Sequence, residues 1–131
     1  MKSWRWVGSD LVYAIHEIQL ARYGGLDGIR DKNAIDSALS RSEQQHTYGD
    51  PKPDAADLAA AYTYGLVRNH GFSDGNKRTA WVTGRVFLAD NGISLQFGAF
   101  DAIKLMEGVA AGSISETELS DWFRHHMVAQ K

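Results

Sequence analysis

His70-Gly71-Phe72-Ser73-Asp74-Gly75-Asn76-Lys77-Arg78 concentrates more polar chemistry than any other stretch of this chain. It separates two apolar segments with helical patterning, one from about Asp54 to Asn69, the other from Gly75 or Asn76 to about Asn91. The stretch therefore reads as a tight loop that enters a helix. A helix N-terminus carries unpaired N–H groups and a partial positive charge, so it suits an anion such as phosphate. Gly75 lets the backbone approach that anion closely, and Lys77 and Arg78 add full charges. Asp74 is acidic in a basic place, and a magnesium ion bridging it to phosphate is the simplest reason. His70, just before the loop, is the natural general base. Each residue also has a plainer role. Asp74 could cap the following helix, Asn76 could be a turn or cap residue, and Lys77 and Arg78 alone would be a solvated pair. Capping and metal binding can coexist, because a carboxylate has two oxygens. In context Asn76 reads as a polar ligand to phosphate or to loop backbone. Phe72 reads as a core anchor that pins the loop.

The flanking sequence reads as helices. Trp4 and Trp6 alternate in Ser3 to Val7, which suits a short edge strand or an arm laid on the body. Ser9 or Asp10 can cap a first helix to about Tyr23, with Leu11, Ala14, Ile15 and Ile18 as its apolar face. His16 in that helix reads as half-buried with one hydrogen bond. Gly24 to Gly28 is a turn-rich break. Asp31 can cap a second helix through about Ser42, with Ile35, Ala38 and Leu39 inward. Gln44 to Pro53 is the most loop-like segment, either an active-site flap or an inert connection.

Asp54 and Asp57 form a capping-box pattern for the third helix. Its Ala59, Ala60, Ala61 and Gly65 face Ala80 and Gly84 of the fourth in this reading. A mid-helix glycine costs about 1 kcal/mol against alanine, so close packing of these two helices is the expected compensation. Asn91-Gly92 is a helix stop, and Ile93 to Phe97 alternates weakly and suits extended chain. A fifth helix is expected from about Ala99 to Ala111, ending at Gly112. Ser115-Glu116-Thr117-Glu118 is a capping box for a last helix through Trp122, Phe123 and Met127. His125 and His126 are adjacent, lack metal-pair spacing and read as surface residues. The expected fold is all-α, a single-domain bundle of about six helices over residues 1–131, with or without a short N-terminal strand.

Composition narrows the function classes. A chain of 131 residues can build one proper core. Its net charge of −2 provides no global field toward nucleic acid or membrane, so neither is an expected partner. Without cysteine there is no disulfide, thiol chemistry or thiolate metal site. No long apolar run or signal peptide is evident, and a cytoplasmic protein is the default expectation.

The nine-residue stretch resembles the Fic/Doc signature, H-x-F-x-[D/E]-[G/A]-N-[G/K]-R. Arg22-Tyr23-Gly24-Gly25-Leu26 and the segment Gly108 to Ser115 also resemble Doc (death on curing) type toxins. AMP-transferring relatives look like H-P-F-x-x-G-N-G-R-x-x-R. Here Gly71 replaces the proline, Lys77 the second glycine and Trp81 the second arginine. The Lys is the Doc-type choice. The resemblance implies a toxin that transfers the γ-phosphate of ATP to a hydroxyl of a protein, elongation factor Tu being the family's known target, and so arrests translation. It implies His70 as base, Asp74 as magnesium ligand, and Gly75, Asn76, Lys77 and Arg78 on the nucleotide phosphates. Phosphoryl transfer needs positioning and charge stabilisation more than covalent catalysis, which such a loop supplies. AMP transfer on the same fold, or a non-catalytic binding or repressor component, are the alternatives.

Many Fic proteins carry an inhibitory glutamate in an [S/T]-x-x-x-E-[G/N] helix. Only Glu107-Gly108 comes near that pattern here, with Ile103 where Ser or Thr belongs. The chain is therefore expected to lack a plug of its own. The resemblance implies instead a small antitoxin whose C-terminal segment folds into a groove of the toxin.

Overall fold

The computed structural model describes residues 3–129. In chain order, α1 spans Ser9–Tyr23, α2 Lys32–Tyr48, α3 Ala55–Asn69, α4 Asn76–Asp90, β1 Ile93–Leu95, α5 Ala99–Ala111, α6 Glu116–His126 and β2 Met127–Ala129. The fold is mostly helical, as expected, with a two-stranded antiparallel sheet pairing Ile93 with Ala129 and Leu95 with Met127.

α3 is the axis of the core. It packs against α2, α4 and α6, and from Ala55 to Val67 only Asp57 and Tyr64 escape full burial. A helix apolar on all sides must be enclosed by others. Both of its expected start signals are present: Asp54 accepts from Asp57 N at 2.9 Å, and Asp57 accepts from Asp54 N at 3.1 Å. α6 opens with the corresponding Ser115–Glu118 box. Arg124 then ties α6 to the start of α3 through Asp54 and Asp57.

The small residues divide their work differently from the sequence reading. Gly84 does face α3: a Cβ there would overlap Thr63 Oγ1. Gly65, however, faces α2, where a Cβ would lie 3.2 Å from that of Ala38. Close packing on α3 is therefore two-sided.

Several expectations are corrected, and two open alternatives are decided. α1 buries Val12, Ile15, His16 and Gln19, while Leu11, Ala14 and Ile18 face outward. The inward face is displaced by one residue, about 100° around the axis. Its cap is Gly8, without a side-chain hydrogen bond. α2 runs past Ser42 to Tyr48, because Glu43, Gln44 and Gln45 are good helix formers and Gln45 donates to Glu116 at 3.0 Å. The remaining loop, with a cis Asp50–Pro51 bond, lines a cleft with Asp57, Glu116 and Ser120, away from the His70 loop. It is no flap.

The N-terminal arm is not a strand. Trp4 and Trp6 both rest on Phe87, Val7 N donates to Tyr62 Oη at 2.9 Å, and Asn91 holds both backbone polar groups of Arg5. The strands lie at the other end of the chain. α6 stops at His126, so Met127 belongs to β2, and His126 is half-buried and stacked on Trp122 at 3.9 Å rather than free on the surface.

Candidate functional site

The loop between α3 and α4 is built from both ends. α3 stops at His70, which takes the left-handed conformation (φ 49°, ψ 47°). Among the described residues it is the only non-glycine with positive φ. His accepts that region more readily than most side chains, but the position remains uncommon. The preceding residue holds it in place: Asn69 Nδ2 donates to Ala34 O on α2 at 3.1 Å. The His70 side chain is exposed, and among the described residues no hydrogen bond engages its ring.

Gly71 is buried against α2. A Cβ there would overlap Ile35 and lie 3.1 Å from Asp31 O. Its carbonyl accepts from Arg30 N and Asp31 N at 2.8 and 2.9 Å. Phe72 is the core anchor expected of it, 2 % exposed and stacked on His16. Asn76 clamps the loop: Oδ1 accepts from Phe72 N at 3.1 Å and Nδ2 donates to Phe72 O at 2.9 Å. Its side chain thus serves loop backbone, one of the two roles read from the sequence. Ser73 N donates to Gly28 O at 3.1 Å.

Asp74 is half-buried. Oδ2 accepts from Leu26 N at 3.2 Å and Oδ1 from Gly75 N at 2.8 Å. Those N–H groups of Leu26 and Gly75, helped by the charge of Arg78, hold its carboxyl below the usual carboxylate range. Gly75 adopts φ 78° and leads into α4 without a side-chain cap, so the plainer reading of Asp74 as N-cap does not describe its bonds. The α4 N-terminus remains open to an anion. Lys77 and Arg78 are exposed on its first turn. Arg78 lies over the Tyr23 ring at 5.0 Å and donates to Gly24 O at 3.4 Å.

His70, Asp74, Gly75, Asn76, Lys77 and Arg78 line one cavity of about 390 Å³, together with Val67, Ser73 and Ala110. Lys77 and Arg78 also border a second cavity of about 300 Å³, walled by Trp81, Ala102, Ile103, Met106 and Glu107. Glu107 forms no ion pair with either cation among the described residues. Among those residues no three His, Asp or Glu cluster to hold a metal by themselves. Magnesium, however, is commonly held by one or two carboxylates, substrate phosphates and water. Asp74 fits that pattern, since each of its oxygens keeps a lone pair beyond its backbone bond.

The sequence reading missed the support from upstream. His16, Gly25, Leu26 and Gly28 all touch the loop. A Cβ on Gly25 would come 2.8 Å from Asp74 Oδ2, and Ile29 bridges to Phe72. The glycines of Gly24 to Gly28 were the available signal: they read as a turn, and they also allow that approach.

A family model described as the Fic/DOC family matches residues 6–88. "Protein kinase doc" of Escherichia phage P1 is 31% identical over 120 residues, covering 92% of this chain and 94% of that protein. "Toxin Doc" of Mycolicibacterium smegmatis is 43% identical over 91 residues, covering 67% of this chain and 69% of that protein. No helix among the described residues is long and apolar enough to cross a membrane.

Proposed function

The chain belongs to the Fic/DOC family, and on that premise we propose that it is the toxin of a toxin–antitoxin pair. It transfers the γ-phosphate of ATP to a Ser or Thr hydroxyl of a cytoplasmic protein, elongation factor Tu being the first candidate, and arrests translation. What supports the kinase reading is the kinase name of the phage relative together with Lys77 in the motif. The observation that carries the chemistry is the single cavity lined by His70, Asp74 and the cationic start of α4.

Each group has a defined task in this reading. His70, without a competing hydrogen bond, accepts the proton of the attacking hydroxyl. Gly75 lets the phosphates approach the backbone closely, and the N–H groups of the first turn of α4 that follow it, with Lys77 and Arg78, bind the phosphate oxygens and offset their charge. Asp74, kept ionised by its backbone donors, would hold magnesium, which would supply charge neutralisation for the transferred group. The partner that restrains the toxin is an antitoxin whose C-terminal segment folds into a groove on this chain.

Intact-mass spectrometry of elongation factor Tu and other candidate targets, incubated with this protein, ATP and magnesium, tests the reading. Gain of one phosphate is expected, and gain of one AMP would reassign the chain to nucleotidyl transfer. His70→Ala should lower the transfer rate by about 10²–10⁴ while the fold and ATP binding persist. Wild-type turnover by that variant would remove His70 from the role of base.

A further inference from the structure

One buried polar side chain grips the motif without lining its cavity. His16 on α1 is 3 % exposed. Its Nε2 lies 2.8 Å from Asp74 O. A carbonyl oxygen only accepts, so Nε2 carries a proton and donates. The ring stacks on Phe72 with centroids 3.8 Å apart and planes 13° apart. On its edge, a Cβ placed on Gly75 would be 3.6 Å from Cδ2 and Nε2. The imidazole is thus wedged between the anchor of the loop and the residue that starts α4.

The bond falls on a particular peptide. His16 holds the oxygen of the Asp74–Gly75 peptide, and the N–H of that same rigid unit donates to Asp74 Oδ1 at 2.8 Å. Rotation of the plane would move both. We infer that His16 is the positioning residue of this site: by fixing the Asp74–Gly75 peptide it aims the Asp74 carboxylate at the cation it holds. The inference rests on the reading of Asp74 as magnesium ligand. A merely structural histidine would contribute stability and leave the response to magnesium unchanged.

Two measurements decide it. The first uses the intact protein: two-bond ¹H–¹⁵N correlation of the histidine rings should show His16 protonated at Nε2. A neutral ring protonated at Nδ1 alone could not make the bond and overturns the inference, whether or not any variant folds. The second is calorimetric binding of β,γ-imido-ATP in magnesium and in EDTA, after thermal melting has confirmed that each variant is folded. In the wild type, magnesium should tighten binding. His16→Phe keeps a flat ring and loses the donor, so it should forfeit about three- to tenfold of that gain while its affinity in EDTA stays within about twofold. His16→Gln restores a donor and should recover part of the gain. A phenylalanine variant with the full magnesium gain refutes the positioning role. A wild type without any magnesium gain instead refutes the metal reading of Asp74, and the inference falls with it.

Discussion

Gly84→Ala separates helix propensity from packing by the sign of its effect. Gly84 lies in the interior of α4. On propensity alone, alanine there should stabilise the protein by about 1 kcal/mol. The neighbouring atoms oppose this. A Cβ would overlap Thr63 Oγ1, while Ala59 O at 3.5 Å and Phe123 Cζ at 3.6 Å would be ordinary contacts. One atom therefore carries the whole conflict. Thr63 is fully buried, and its hydroxyl donates to Ala80 O at 3.1 Å. Turning Oγ1 away would leave a buried polar group unpaired, at about 1–3 kcal/mol. Pushing α4 off α3 instead costs a similar amount, about 1–3 kcal/mol. Subtracting the propensity gain leaves a net loss of about 1 kcal/mol, and at most about 2. For a chain of this length that lowers Tm by about 3–7 °C.

The assay is urea unfolding with thermal melting, run in two backgrounds. In the wild type, Gly84→Ala should destabilise. In Thr63→Ala, where the offending atom is gone, the same change should stabilise by about 1 kcal/mol, an inversion that only a direct contact produces. Stabilisation in both backgrounds, or equal destabilisation in both, would refute the close-packing argument.

Three further outcomes follow from other contacts. Arg124 holds the Asp54 carboxyl at about 2, below its ordinary 3.8, so the pair contributes above pH 4 and is lost as pH falls toward 2. Asp54 is half exposed, which limits the contribution to about 0.5–1 kcal/mol, and Arg124→Ala should flatten the fall of Tm over that window. Tyr62→Phe removes the acceptor of the buried Val7 N–H; a loss of about 1–3 kcal/mol and red-shifted tryptophan emission from a loosened arm are expected. Ile15 is 5 % exposed and Ile18 56 %, so Ile15→Ala should cost about 2–5 kcal/mol in urea unfolding and Ile18→Ala less than about 0.5.

What was legible in the sequence had local causes. The Asp54–Asp57 and Ser115–Glu118 boxes each close over three residues, and the Gly112 stop needs only the turn before it. The motif was legible because its residues are contiguous. What misled had distant causes. Apolar spacing on α1 favoured Leu11, Ala14 and Ile18, but the face turned inward carries His16, whose partner is Asp74 O in a loop distant in sequence. α2 outlasts its local signals: Gly49 and the prolines suggest a loop, but Gln45 reaches Glu116 on a distant helix. β2 pairs with a strand more than thirty residues upstream, and nothing near Met127 announces that partner.

The same division bears on which reaction the motif performs. Gly71 departs from the proline of AMP-transferring relatives, and its packing accounts for this without any chemistry. Ile35 and Asp31 O occupy the space where a side chain would stand, so that departure says little about the transferred group. Trp81 is different. It occupies the position of the second arginine, one turn after Arg78, and its ring packs against Phe97, Trp122 and Phe123. The side chain is thus committed to an aromatic cluster, and the cavity it walls is apolar apart from Lys77, Arg78 and Glu107. The pattern's second arginine would have added a cation there. Positive charge is instead concentrated on the first turn of α4, beside His70 and Asp74. Phosphoryl transfer relies on positioning and on charge placed around the transferred group. The case for phosphoryl transfer therefore rests on Lys77 and on the missing cation at Trp81, not on Gly71.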